Sequence, residues 1–213
     1  MTSFMPATKK KAGLTRSFWL KQLHRWHWIS AALSLVGMLL FAITGITLNH
    51  AADIEASPTV TEREAQLPPP LLKALPVGGA DKAPLPEQVG AWLDKELSVS
   101  AAGREAEWSD DEIYLALPRP GGDGWLSIDR ATGDVVMEET DRGWVSWLND
   151  LHKGRNTGRA WFWFIDIFAV ACVIFTITGL FLLQLHAKHR PATWPTVGLG
   201  FILPLLVIIL FMH

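Results

Sequence analysis

One stretch, His24 to His50, limits what this chain can fold into more than any other: HRWHWISAALSLVGMLLFAITGITLNH. After Arg25 it holds no charged residue, and Trp26 to Leu48 is predominantly apolar. As a helix it covers roughly 35 Å, enough to cross a bilayer. Two later stretches share this character, so residues 26–48, 161–185 and 194–212 read as three membrane spans. Residues 51–150 look like one soluble domain of about 100 residues inserted between them. Charged residues make up only 19% of the chain, fewer than a soluble domain of this length would normally carry.

Charge distribution sets the expected orientation. Lys9, Lys10, Lys11, Arg16, Lys21 and Arg25 precede the first span with no acidic residue among them. The positive-inside rule therefore predicts a cytoplasmic segment 1–25, with 51–150 on the outer side. Lys188 and Arg190 then return to the cytoplasm, and the C-terminus ends outside. The first apolar run is too long for a signal-peptide core and no small-x-small site is well placed after it, so an anchor is expected rather than a cleaved leader. Cys172 is the only cysteine, so no disulfide within the chain is possible. No nucleic-acid partner is expected; membrane lipid is one.

Inside 51–150, the proline-rich segment 51–79 reads as an extended connection with a helical turn at Leu71–Leu75. Pro86 to Leu97 is expected to be a helix, with Pro86 at its first position and Val89, Trp92, Leu93 and Leu97 on one face. Strands are expected at Ile113–Leu117, Trp125–Asp129 and Val135–Glu138, the last two joined by the loop Arg130-Ala-Thr-Gly-Asp134. A helix on a small antiparallel sheet would bury one face of each.

The segment Gly124–Glu139 resembles the closing hairpin of a PepSY domain: a strand ending in Asp, a Thr-Gly turn, another strand. Leu23-His24-Arg25-Trp26, Leu151-His152-Lys153-Gly154, Thr44-Gly45 and Thr178-Gly179 resemble the PepSY-associated transmembrane family, in its short three-span branch, from Leu23 to about His189. The expected fold is a mainly α membrane protein: three transmembrane helices with an inserted small α+β PepSY-like extracytoplasmic domain. The resemblance implies a bacterial inner-membrane protein, and larger relatives that are di-haem reductases of ferric siderophores. His24 and His152 match the family's Leu-His positions.

The histidines suggest chemistry of their own. None lies between 51 and 151, and six flank spans one and two. On the expected topology His24, His27, His186 and His189 lie at the cytoplasmic boundary, and His50 and His152 at the outer one. Histidines from two helices at each boundary suit bis-histidine haem b, in which each imidazole gives one nitrogen to iron and the other to a second acceptor. The outer iron is expected between His50 and His152, and the inner one between His24 or His27 and His186 or His189. Gly37, Gly45 and Gly179 would leave room for a flat ring, and Lys153, Arg155, Arg159, Arg25, Lys188 and Arg190 could meet propionates. Interfacial histidines are also ordinary anchors. His24 and His50 would be roughly 39 Å apart along a helix, so one haem or two are both open. His213 is a poor ligand at a terminus. The domain, holding neither histidine nor cysteine, is expected to be separable from these sites.

Two further features bear on function. Phe41-Ala-Ile-Thr-Gly-Ile46 and Phe175-Thr-Ile-Thr-Gly-Leu180 form a faint inverted repeat, of a kind that often builds a site between its copies. Close helix packing alone also favours such small residues. Asp166 is an acidic residue within a span, where a carboxylate is costly and usually functional or paired. The first functional reading is a membrane-bound b-type cytochrome. It would pass electrons across the inner membrane, from quinol or a cytoplasmic reductase to a periplasmic acceptor such as a ferric chelate or redox partner. No nucleotide fingerprint is present, so the reductant would come from outside. The alternative is a non-catalytic, membrane-anchored PepSY binding or regulatory module with packing histidines and no haem. Neither a metalloprotease motif nor a cysteine nucleophile supports a peptidase, and homo-oligomerisation stays open.

Overall fold

The computed structural model describes residues 15–55, 57–76 and 81–212; Lys9, Lys10, Lys11, Gly78, Gly79 and His213 lie outside the described residues. In chain order the elements are α1 (Arg16–Asn49), β1 (Thr59–Gln66), α2 (Pro69–Lys73), β2 (Lys82–Pro84), α3 (Glu87–Leu97), β3 (Glu105–Trp108), β4 (Glu112–Ala116), β5 (Gly122–Asp129), β6 (Asp134–Asp141), α4 (Gly143–Lys153), α5 (Gly158–His186) and α6 (Thr193–Phe211). A 3-10 turn, Ala187–His189, extends α5. Three of these helices are long and apolar enough to cross a membrane: α1, α5 with its 3-10 turn, and α6. A helix satisfies its own backbone groups, which hydrocarbon cannot do. Helix α6 runs on through Pro204, which removes one backbone N–H; membrane helices tolerate proline where neighbouring groups or local adjustment satisfy the freed carbonyl.

The chain divides into two compact units, residues 1–40 with 164–213, and residues 41–163. In the first, α1 turns small side chains inward. Ser30 and Ser34 are buried, and each hydroxyl donates to the carbonyl four residues back, Trp26 and Ser30, at 2.7 Å. Those bonds absorb the hydroxyl protons within the helix. Gly37 lies so close to the Phe168 ring that an added Cβ would fall 2.4 Å from it. Small residues at such positions let membrane helices approach.

The second unit holds a six-stranded sheet in the order β1-β6-β5-β4-β3-β2, with every neighbour antiparallel. Side chains alternate across it. Ile113 and Leu115, Leu126 and Ile128, Val135 and Met137 are buried on one face, with Val89, Leu93 and Leu97 from α3 in the same core. Those three α3 residues recur every fourth position, one stripe of a helix. Fully burying such a side chain is worth about 1.5–3 kcal/mol, so this stripe outweighs the weak propensity of an eleven-residue helix. The β5–β6 turn is closed by Asp129, whose carboxylate accepts the N–H groups of Ala131 and Thr132 at 2.8 and 2.7 Å. Gly133, at φ +78°, takes the left-handed position the turn needs.

Three features differ from the sequence expectation. β1, β2 and β3 double the number of strands, and β1 lies in what reads as an extended connection. Pro86 precedes α3 as its cap, with ψ 138°, instead of opening it. Helix α4 runs across the expected domain edge at 150.

Replacing Leu93 with Ala should destabilise the domain by about 2–5 kcal/mol through lost burial and a cavity, read from denaturant unfolding followed by tryptophan fluorescence. Asp129 offers a pH test. The Thr132 N–H and hydroxyl, then the Ala131 N–H, hold its carboxyl below the ordinary 3.8. Its stabilisation is therefore complete above that ordinary value and lost as pH falls through the lower folded one. Asp129→Asn should lower the melting temperature at pH 7, and the gap from wild type should close as the medium is acidified below pH 3.8.

Candidate functional site

In the unit of residues 41–163, α4 presents its polar side chains on two sides. The Asp150 carboxylate, buried, accepts the Gly121 N–H at 2.9 Å. Gly121 has φ +72°, and a Cβ there would fall 2.6 Å from the Trp147 Cα, so only glycine fits. Asn149 accepts the Thr47 hydroxyl at 2.9 Å. His152, one turn on, meets Thr44 through Nδ1 at 2.7 Å. Its ring lies tilted on Phe41, with centroids 5.0 Å apart, and its Cε1 is 3.5 Å from where a Gly45 Cβ would sit.

The unit of residues 1–40 and 164–213 contains the same local arrangement built from the other copy of the repeat. His27 Nδ1 lies 3.0 Å from the Thr178 hydroxyl. The imidazole stacks on Phe175 at 4.8 Å and 18°, and its Cε1 is 3.4 Å from an ideal Gly179 Cβ. Within each copy the phenylalanine supports the ring, the threonine bonds it and the glycine makes room. Thr178 donates its proton to the Ile174 carbonyl at 2.6 Å or the Phe175 carbonyl at 3.0 Å. Its oxygen is then the acceptor, which puts the His27 proton on Nδ1. Among the described residues nothing hydrogen-bonds His27 Nε2.

The remaining histidines are held differently. His24 and His186 each donate Nδ1–H to a carbonyl four residues back, Leu20 and Leu182, at 2.8 Å. His50 is exposed and pairs with Asp53 at 3.1 Å. An open groove of about 660 Å³ is lined by His27, Gly179, His186, His189 and Arg190, with Phe175 beside His27. The structure thus brings His27, His186 and His189 to one groove that His24 does not line. His50 and His152 are each bonded to another partner, Asp53 and Thr44. Among the described residues no group of three or more His, Cys, Asp or Glu side chains is placed to hold a metal ion. Asp166 is exposed on α5 and makes no hydrogen bond or ion pair among them.

Thr44 and Thr178 are the residues whose role sequence reasoning missed. Their signal was present in the F-x-I-T-G echo, which marks the imidazole sockets. The spaces beside Gly37, Gly45 and Gly179 contain Phe168, His152 and His27.

Thr178→Val keeps the shape of the socket and removes its acceptor. We expect a loss of about 0.5–2 kcal/mol, the range of polar bonds between membrane helices, with Thr178→Ser close to wild type. Unfolding of the full chain in mixed detergent micelles measures it.

The model of the family described as "Putative PepSY_TM-like" matches residues 18–213. No curated protein and no solved structure matches the chain. With nearly its whole length matched, three membrane-spanning helices and an inserted α+β domain, the chain belongs to this PepSY-associated transmembrane family.

Proposed function

We propose that the chain is a non-catalytic, membrane-anchored PepSY module, whose three helices hold the α+β domain at the outer surface of a bacterial inner membrane, where it binds or regulates a partner. The observation that carries this reading is the filling of the two repeat sockets by the chain's own rings. His152 and His27 lie over Gly45 and Gly179 and bond Thr44 and Thr178. An imidazole used in this way is an inter-helix fastener. The basic residues before the first span favour the outer placement of the domain.

A second reading is favoured by one specific observation, the groove shared by His27, His186, His189 and Arg190. Imidazoles beside an arginine are a donor set that a haem b could use. With Nδ1–H held by Thr178 or by the Leu182 carbonyl, Nε2 of His27 and His186 would be the nitrogens available to an iron, and a bond on the other ring nitrogen is what orients a ligating imidazole. Arg190 would pair with a propionate. When bound, the haem would supply one-electron transfer, with quinol or a cytoplasmic reductase as donor and a ferric chelate or redox protein as periplasmic acceptor. Thr178 would then orient the ligand and Phe175 would keep water from it. A second haem would need His50 and His152 at one iron.

A reduced-minus-oxidised visible spectrum of the full chain, purified from haem-replete cells, separates the two. The module reading expects no b-type bands, and expects His27→Ala to lower thermal stability with no spectral change. Bands that disappear in His27→Ala and His186→Ala would establish the cytochrome instead.

A further inference from the structure

The two edges of the sheet are unlike. β2 is three residues long and ends in Pro84, which has no N–H to offer another strand. β1 is eight residues long, contains neither proline nor glycine, and pairs in unbroken register with β6 on one side only. Its residues are exposed apart from half-buried Ala65. Among the described residues, no strand pairs with its outer edge. An unpaired edge of this length is a template for one more strand.

The side chains on this edge carry a sign. Alternation puts Val60, Glu62 and Glu64 on the sheet face away from the core, beside Thr140, Glu138 and Val136 of β6. Glu62 therefore stands directly opposite Glu138, a like-charge pair that costs stability in an antiparallel ladder. None of Glu62, Glu64 and Glu138 enters an ion pair among the described residues, whereas Glu107 near the other edge is joined to Lys82 at 2.7 Å. In the central registers the same residues disfavour a second copy of this chain. Two-fold registers centred on Glu62, Arg63 or Glu64 set each of those charges against itself.

We propose that β1 is a docking edge for an extended segment of a partner polypeptide that adds to the sheet as a seventh strand and carries lysine or arginine at alternate positions. Backbone hydrogen bonds along β1 supply the attachment. The alternate cations lie over Glu62 and Glu64 and relieve their repulsion with Glu138, which fixes both the register and the face. Val60, 57% exposed, offers the incoming strand an apolar contact at the end of the same row. This inference rests on the binding-module reading and names the partner and its mode.

The test uses the full chain in detergent and fluorescent ten-residue probes: alternating Lys-Thr, alternating Glu-Thr, a Lys-Thr peptide with its lysines in one block, and an alternating peptide N-methylated along one edge. The alternating lysine peptide should bind and should slow amide exchange in β1. The glutamate, block and N-methylated peptides should each bind at least about tenfold more weakly. Glu62→Lys with Glu64→Lys should turn the preference towards the glutamate peptide, with a change of about tenfold or more for two exposed ion pairs made and reversed. Equal binding of the block or N-methylated peptide would reduce the effect to bulk charge and overturn strand addition. So would an unchanged preference in the double variant, or no binding of the alternating peptide. The spectrum described above tests the module reading separately, so a colourless protein that ignores the peptides would sink the docking edge alone.

Discussion

The bond from the Gly121 N–H to the buried Asp150 carboxylate is where the domain and its neighbouring helix are joined. A charged acceptor makes this a strong hydrogen bond, and burial makes its loss expensive. It seats α4 on the sheet, with Trp147 against the bare backbone of Gly121. Once α4 is seated, its other polar side is fixed. Asn149 and His152 are three residues apart and so share a helix face. Thr47 and Thr44 have the same spacing on α1. The result is a two-rung ladder, Thr47 to Asn149 and Thr44 to His152, which no single pair would hold in register.

The threonines do what no apolar residue of the same shape could. A hydroxyl in a membrane helix can give its proton to a carbonyl of the preceding turn and keep its oxygen as an acceptor. Thr178 does this with Ile174 and Phe175, and Thr44 with Phe41. In each case an oxygen is left for an imidazole N–H arriving from another helix. Valine would fill the same volume and leave that N–H without a partner. This explains why a threonine sits between the isoleucine and the glycine in both copies of the repeat. The bond that fastens an imidazole would also orient one towards a ligand; what favours the fastener is that His152 and His27 each close over a glycine of their own socket.

Much of this architecture was legible in the sequence because hydrophobic pattern controls it. Three apolar blocks mark the spans, and alternation in Leu126–Ile128 or a stripe such as Val89, Leu93 and Leu97 marks a strand or a helix face. β1 was not legible for the opposite reason. In Thr59–Gln66 neither face is apolar, and what makes it a strand is backbone pairing with β6, which side-chain pattern does not record. Helix α4 was open to recognition, since Val145, Leu148 and Leu151 have helical spacing, but a boundary drawn at residue 150 divided it. The histidines were found by type and position. Their partners were not, because a Thr–His bond between residues 44 and 152, or 27 and 178, leaves no local trace.

The seating of α4 also changes how the domain relates to the histidines. A domain with no histidine or cysteine reads as separable from any site they form. Yet Gly121 belongs to the turn that leads into β5, and it satisfies the carboxylate two residues before His152. Removing the domain would take the Gly121 N–H from the Asp150 carboxylate and uncover the side of α4 opposite the Thr47 and Thr44 rungs. One helix of eleven residues thus carries both the carboxylate bonded to Gly121 and the imidazole bonded to Thr44. In this chain the domain contributes no side chain to the socket, and its Gly121 N–H bonds the helix that carries the socket's imidazole.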